Sequence, residues 1–231
     1  MKNYSQGDLN SMEQRERARF VNSLSGFKSA NLIGTKDLKG NENLSIVSSV
    51  FHLGANPALV GFIVRPHNTS RHTLENILET GVYTINAVCV DILHQAHQTS
   101  ARYDKHQSEF KYTKLMAEYG ERVDAPYVKE SPLKMAVELR EHQTLKLNNT
   151  ELVIGEIVEV RVPARAVMPD GYIDIDGLGI VNVTGLDSYH IGKRLNRLSY
   201  AKPKQAMHPL TIEGEPSSWE AIAFIKGEQI G

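Results

Sequence analysis

The feature that most constrains the fold is a pair of long strand-like segments on either side of an Asn-Asn pair at 148–149. Residues 133–147 and 150–162 are rich in strand-favouring residues, and an Asn-Asn pair tolerates the positive φ angles that a hairpin turn requires. Glu156 and Glu159 fall on opposite faces of the second segment, which predicts a β-bulge within it. The sequence therefore predicts a long β-hairpin, and this is its strongest hairpin signal.

Shorter strand-like segments precede this hairpin. Residues 29–35, 43–50, 58–64 and 82–88 either alternate between apolar and polar residues or form short apolar runs. Pro66 ends the third of these segments, because a proline restricts the backbone around it. Strands that are interrupted by short helices favour a mostly β (α+β) barrel with helical insertions over a doubly wound parallel sheet.

Short helices are predicted between the strands and at both ends of the chain. The predicted helices span residues 11–24, 73–80, 91–101, 108–119 and 217–225. The first is expected to begin at a capping box formed by Ser11 and Gln14. Its apolar face, with Ala18, Val21 and Leu24, is expected to turn inward.

The composition argues against several classes of function. The formal net charge is -1, so the chain lacks the strongly basic surface that nucleic acids or anionic membranes attract. No apolar run reaches the ~20 residues of a membrane-spanning helix, and the N-terminus lacks the apolar core of a signal peptide. Cys89 is the single cysteine, so no internal disulfide can form. We therefore expect a cytoplasmic protein that binds neither nucleic acid nor membrane.

Several common catalytic motifs are absent from the sequence. Gly177-Leu178-Gly179 lacks the third glycine of a dinucleotide-binding fingerprint, and the chain contains neither a phosphate-binding GK[ST] loop nor a nucleophile elbow. His94 and His97 lie three residues apart on a predicted helix, but no clear third metal ligand accompanies them. We therefore expect no metal site, and the sequence identifies no catalytic residue.

A cluster of potential anion ligands follows the third strand. Arg65, Ser70 and Arg71 offer guanidinium and hydroxyl donors. His72 and Thr73 come at the start of a predicted helix, where backbone N–H groups are unpaired. These residues form a candidate phosphate-binding site. The alternative interpretation is that Thr73 is only a helix N-cap and that the arginines lie on a solvated loop.

A series of short motifs runs through most of the chain. They are Ser48-Ser49-Val50-Phe51-His52 with Asn56-Pro57; Thr73, Asn76-Ile77, Thr80-Gly81, Tyr83 and Asn86; Ser108-Glu109-Phe110; Ala125-Pro126-Tyr127-Val128 with Glu130-Ser131; Ile154-Gly155-Glu156; and Arg197-Leu198 with Tyr200. In this order, from about residue 27 to residue 200, they resemble the flavin reductase-like, FMN-binding split-barrel family.

The resemblance implies a fold and an assembly. The implied fold is mostly β (α+β), an FMN-binding split β-barrel with short helical insertions. It would form a single domain over residues 1–231, with an N-terminal helix and a C-terminal extension after about residue 203. The FMN site in this family usually lies at a dimer interface, so a homodimer with FMN near its interface is implied.

The resemblance also implies which residues hold the cofactor. Three residues would run along the isoalloxazine ring and offer it backbone N–H groups, namely Ser48, Ser49 and Val50. The FMN phosphate would meet Arg71, His72 and Thr73, with Ser70 and Arg65 beside them.

The activity implied by the resemblance is that of an NAD(P)H:flavin oxidoreductase, with NADH or NADPH as co-substrate. Such an enzyme needs little acid–base machinery, because the hydride chemistry belongs to the cofactor. His190 is a candidate for contact with the nicotinamide, and the reduced flavin would serve a partner oxygenase or another electron acceptor. Two alternatives stay open: a non-catalytic FMN electron carrier, and an oxidase of the pyridoxamine-phosphate oxidase-like type.

Overall fold

The computed structural model describes residues 1–66 and 70–219, and strands make up most of its regular structure. The strands are β1 (Lys28–Ser29), β2 (Asn31–Lys36), β3 (Glu42–Val47), β4 (Phe51–Ala55), β5 (Ala58–Val64), β6 (Val82–Ala87), β7 (Ala117–Glu118), β8 (Tyr127–Val128), β9 (Lys134–Leu145), β10 (Thr150–Arg161), β11 (Val181–Thr184), β12 (Ser188–Ile191), β13 (Arg197–Leu198) and β14 (Pro209–Leu210). The α-helices are α1 (Gln6–Ser11), α2 (Gln14–Leu24), α3 (His72–Thr80), α4 (Leu93–Gln98) and α5 (Glu109–Thr113). The expectation of a mostly β fold with short helical insertions is confirmed.

A seven-stranded antiparallel sheet has the strand order β3-β2-β6-β9-β10-β5-β4. The predicted hairpin, β9 with β10, lies at its centre, and Asn149 takes a φ of 56° in the turn. The register shifts between Ile157 and Glu159, so the predicted bulge is confirmed. A second shift between Ile154 and Gly155 was not predicted. The long hairpin therefore organises the sheet, with β6 on one side and β5 on the other.

Both faces of the large sheet are covered by other parts of the chain. Adjacent residues of β2 point to opposite faces, since side chains alternate along a strand. Ile33 belongs to a core that includes α3 residues such as Leu74, whereas Leu32 belongs to a second core on the other face. That second core includes Val181 and Val183 of β11. Strand β11 is the middle strand of a separate three-stranded sheet with the order β1-β11-β12, which lies over this second core.

The edge strand β3 is covered by α4 and α5. Glu109 opens α5, is buried, and accepts a hydrogen bond from the backbone N–H of Leu44 at 2.9 Å. Burial raises the pKa of the Glu109 carboxyl. Because a carboxylate takes up a backbone donor of β3, this edge of the sheet is partly satisfied within the chain itself.

The N-terminal helical region differs from the prediction. Two helices replace the single predicted one: α1 begins with a capping box between Ser5 and Asp8, and α2 begins after Glu13, whose carboxylate caps it. The predicted start at Ser11 is wrong, because Ser11 is the last residue of α1. Val21 is 47% exposed and Leu24 is 67% exposed, so the apolar face expected to turn inward lies largely in solvent.

Two further predicted helices have different outcomes. The segment predicted at 108–119 is helical only as far as Thr113, because Lys114 takes a φ of 63° and the chain then enters β7. The terminal helix predicted at 217–225 lies largely outside the described residues. Across residues 1–66 and 70–219, no helix is both long enough and apolar enough to cross a membrane.

Candidate functional site

A cavity of about 320 Å³ lies beside the carboxyl end of β3. Its apolar lining consists of Ile46, Val47, Val183 and Leu186, and its polar lining consists of Ser48, Arg65, His97, Ser100 and Tyr189. The lining comes from four separate parts of the chain: the end of β3, the residue after β5, helix α4, and the β11–β12 hairpin. The volume falls within the range of small-molecule sites, and apolar walls with a few polar groups are typical of them. The structure thus brings together two of the predicted site residues, Ser48 and Arg65.

The segment 48–50 is held by hydrogen bonds to neighbouring strands. The Ser49 hydroxyl donates to the Ile63 carbonyl oxygen and accepts from the Ile63 N–H, each at 3.0 Å. The Ser29 hydroxyl donates to the Val50 carbonyl oxygen at 3.4 Å, and the Val50 side chain packs against the core that includes α3. Among the three residues predicted to follow the flavin ring, only Ser48 lines the cavity. Ser49 and Val50 fix the course of the backbone there.

The start of α3 carries four of the predicted phosphate ligands. Arg71 is the N-cap residue and His72 the first helical residue, so the helix begins one residue earlier than predicted. The Glu75 carboxylate accepts hydrogen bonds from the Ser70 hydroxyl at 2.9 Å and from the Arg71 N–H at 3.0 Å. The Nε atom of Arg71 is buried, with no hydrogen-bond partner among the described residues. The Glu75 carboxylate therefore contacts two predicted anion ligands, while the Nε–H of Arg71 has no acceptor within residues 1–66 and 70–219.

Thr73 is turned toward the protein interior and is 8% exposed. Its hydroxyl oxygen lies 2.8 Å from the Asn43 amide nitrogen and 2.8 Å from the Ser45 hydroxyl. Asn43 and Asn76 both donate to the Thr35 hydroxyl, which extends this buried polar network between β2, β3 and α3. The Thr73 hydroxyl therefore attaches α3 to the sheet, and the alternative prediction that Thr73 is the N-cap is wrong.

His97 and Tyr189 form a pair in the cavity wall. The Nδ1 atom of His97 lies 2.8 Å from the Tyr189 hydroxyl, and the two rings meet edge to face with centroids 5.6 Å apart. Burial and the nearby Asp187 carboxylate raise the pKa of the Tyr189 hydroxyl. No local sequence pattern predicts this pair, because its members lie 92 residues apart.

Other histidines that the sequence drew attention to lie elsewhere. His190 follows Tyr189 on β12, so its side chain points to the opposite face, where its ring packs edge to face against Phe27 with centroids 5.0 Å apart. Its Nε2 atom lies 2.9 Å from the Thr184 hydroxyl. His94 is exposed on α4 and does not line the cavity. Over residues 1–66 and 70–219, no group of three or more His, Cys, Asp or Glu side chains is placed to hold a metal ion.

A family model described as "Flavin reductase like domain" matches residues 25–175, which is more than half of the chain. The chain belongs to this flavin reductase-like family. The family resemblance predicted from the sequence is therefore confirmed. The matched region contains β1–β10, and it ends before β11 and β12, which supply one wall of the cavity.

Several solved structures share the fold of this chain. A protein from Shewanella frigidimarina NCIMB 400, named "putative flavin reductase with split barrel domain", is 58% identical and has a TM-score of 0.84, with 87% of this chain and all of that chain covered. Nitrilotriacetate monooxygenase component B from Bacillus cereus is 20% identical, with a TM-score of 0.75 and coverage of 84% and 97%. Flavoredoxin of Desulfovibrio vulgaris (Miyazaki F) is 24% identical, with a TM-score of 0.65 and coverage of 78% and 93%. The predicted split-barrel fold is confirmed.

Several of the family-like motifs are structural in this flavin reductase-like chain. The Asn86 amide donates to the Leu32 carbonyl oxygen at 3.1 Å, and its oxygen accepts from the Val128 N–H at 2.9 Å. Gly155 lies so close to the buried Tyr83 that an added Cβ would come within 2.4 Å of the Tyr83 hydroxyl. These motifs therefore preserve the packing of the barrel and do not contact the cavity.

Proposed function

We propose that the protein binds FMN with its ring in this cavity and passes electrons from NADH or NADPH through the FMN. The observation that carries this proposal is the meeting of Ser48 and Arg65 in one cavity of about 320 Å³. The family resemblance assigns Ser48 to the flavin ring and Arg65 to the phosphate. Ser48 follows the end of β3, and Arg65 follows the end of β5. Family membership supports the same interpretation.

The residues on the phosphate side suit a dianionic group. Arg65 and Arg71 supply guanidinium groups, and the buried Nε atom of Arg71 has no partner among the described residues. A buried donor without an acceptor is costly, so a ligand oxygen at this point would remove an existing penalty. His72 and Thr73, in the first turn of α3, would contribute backbone N–H groups, since the Thr73 hydroxyl is used inside the protein.

The residues on the ring side suit a flat heteroaromatic group. Ser48 and the backbone of segment 48–50 would face the ring edge, and the apolar side chains Ile46, Val47 and Val183 would exclude water from one part of the ring. Bound FMN supplies the hydride-accepting chemistry of the reaction. The chain has to bind the ring, orient it and leave room for the nicotinamide.

Visible absorption and rapid kinetics test this proposal. The purified protein should take up FMN from solution, with a shifted flavin spectrum, and anaerobic mixing with NADH or NADPH should bleach that spectrum within seconds. Riboflavin should bind more weakly, because it lacks the phosphate. Equal affinity for riboflavin and FMN would contradict the phosphate site, and absence of flavin binding would contradict the proposal as a whole.

A second candidate is an FMN electron carrier, and the structural similarity to a flavoredoxin favours it. Both candidates require the same cofactor site. They differ in the electron donor, since a carrier is reduced by another protein. FMN that stays oxidised with either nicotinamide, yet is reduced by dithionite, would favour the carrier.

Assembly and partners form part of the same proposal. Strand β4 lies at one edge of the large sheet, and its residues Phe51 and Leu53 are exposed, which favours a homodimer formed near the cofactor site. Light scattering at micromolar protein concentration tests the homodimer and should give twice the monomer mass of 25.8 kDa.

The similarity to a monooxygenase component favours an oxygenase as recipient of the reduced flavin. The single unpaired Cys89 is compatible with the reducing cytoplasm.

A further inference from the structure

The cavity wall formed by α4 and β12 presents the His97–Tyr189 pair. Ser48 and Arg65 line the same cavity, so a ring that enters the cavity beside Ser48 meets the wall that this pair forms. A volume of about 320 Å³ is at the lower end of the range for small-molecule sites. The compartment therefore suits a single ring system, and on the proposed function that ring system is the flavin.

The hydrogen bond between the two side chains occupies one nitrogen of the His97 ring. The Tyr189 hydroxyl lies 2.8 Å from Nδ1, so Nε2 is the ring nitrogen that this contact leaves for a ligand. A neutral imidazole has one acceptor nitrogen and one donor nitrogen. In the tautomer whose Nδ1 accepts from the phenol, Nε2 carries the ring proton and is a hydrogen-bond donor.

We propose that His97, oriented by Tyr189, is a positioning residue that donates a hydrogen bond to an acceptor atom of the flavin ring and so raises the reduction potential of the bound FMN. This inference rests on the proposed function. The reduced isoalloxazine ring of FMN is anionic at neutral pH, whereas the oxidised ring is neutral. A hydrogen bond to a charged acceptor is stronger than one to a neutral acceptor, so the donor favours the reduced form.

The expected effect follows from that difference. Loss of the donor should weaken binding of reduced FMN by about tenfold more than binding of oxidised FMN. For a two-electron couple, a tenfold change in the ratio of the two affinities lowers the midpoint potential by about 30 mV. Affinity for oxidised FMN should fall by only about two- to twelvefold, because a neutral hydrogen bond is lost there.

The experiment compares two histidines of the same helix. In His97→Leu, the midpoint potential of the FMN-loaded protein, measured anaerobically against a reference dye, should fall by about 30 mV. His94→Leu, which changes an exposed residue outside the cavity, should leave the potential at the parent value. His97→Gln keeps a neutral N–H donor and should recover part of the shift. Tyr189→Phe should lower the potential by less than His97→Leu does.

The outcomes separate the two proposals. If the parent binds FMN, and His97→Leu binds it with an unchanged potential, the role of His97 is overturned and the proposed function stands. An equal shift in His94→Leu would also overturn it, since the effect would then come from the helix as a whole. If the parent binds no flavin, the proposed function fails and this inference fails with it.

Discussion

The proposed ring side and the proposed phosphate side of the candidate site are built in different ways. On the ring side, Ser48 faces a cavity whose opposite wall comes from the distant residues His97 and Tyr189. On the phosphate side, the chain's own Glu75 carboxylate already accepts hydrogen bonds from Ser70 and from the Arg71 backbone. The proposed ring side is therefore formed by residues that are distant in the sequence. The proposed phosphate side is formed by residues that are close in the sequence, and the Glu75 carboxylate offsets part of its positive charge.

The two sides also share one feature. Each contains a residue that the family resemblance placed at the cofactor and whose hydroxyl the structure uses internally: the Ser49 hydroxyl bonds to the Ile63 backbone, and the Thr73 hydroxyl bonds to Asn43 and Ser45. A motif of this kind constrains the course of the backbone at the site. The contacts of neighbouring residues decide which side chain faces the ligand.

The largest expected effect concerns the Arg71 guanidinium. Arg71→Ala removes a cation whose buried Nε atom has no partner among the described residues. A hydrogen bond to a charged group contributes about 1.5–3 kcal/mol, so FMN affinity should fall roughly 10- to 150-fold. Riboflavin affinity should hardly change, and calorimetric titration of both ligands measures the difference.

The matched control for that change is Arg102→Ala, which removes an exposed arginine that does not line the cavity. This variant should bind FMN as the parent does. If Arg71→Ala retained parental FMN affinity, the phosphate side would have to be placed elsewhere, and the comparison of the two sides would no longer hold.

A second prediction separates structural from ligand-binding hydroxyls. Thr73→Val keeps the side-chain volume but leaves the Asn43 amide and the Ser45 hydroxyl without their shared partner. The free energy of unfolding should fall by about 2 kcal/mol, because the remaining buried polar groups are left unpaired. Urea unfolding of the apoprotein measures this change. FMN affinity should change by less than about threefold; a tenfold loss would show instead that the Thr73 hydroxyl contacts the phosphate.

The smallest expected effect concerns the internal carboxylate. Glu75→Gln removes a negative charge beside the proposed phosphate position while keeping an oxygen that accepts hydrogen bonds from Ser70 and Arg71. FMN affinity should rise roughly three- to fivefold, which is the scale of a partly exposed charge pair. Titrations at low and high salt should show the gain shrinking as screening increases. A loss of affinity would mean that the Glu75 charge organises the site.

Local patterns predicted much of the fold. The Asn148-Asn149 turn and the strand-favouring residues around it predicted β9 and β10, and the apolar run ended by Pro66 predicted β5 at 58–64, as observed. These elements were predictable because their turn chemistry and side-chain periodicity agree with their place in the sheet. The inward face expected for α2 failed, since Val21 and Leu24 have the right spacing but no core to pack against.

The candidate site was less predictable for a physical reason. Arg65 follows the predicted strand 58–64, so its position at a sheet end could be expected from sequence, whereas Ser48 lies within the predicted strand 43–50 and follows β3 only because that strand ends at Val47. His97 and Tyr189 meet only because α4 and β12 fold over the same core, and no local pattern encodes that contact. The contacts of the Glu75 carboxylate with Ser70 and Arg71 could not be predicted either. A carboxylate in the first turn of a helix predicts helix capping and carries no information about an anion-binding site.

The covered edge of β3 has a consequence for aggregation. A sheet with two open edges can add further copies at both ends and grow into a fibre. Here Glu109 takes up one backbone donor of β3 and two helices lie over that edge, so among the described residues the β4 edge is the more open to strand addition. Two copies joined through β4 about a two-fold axis would leave a helix-covered β3 edge at each end of the combined sheet, which would oppose further growth.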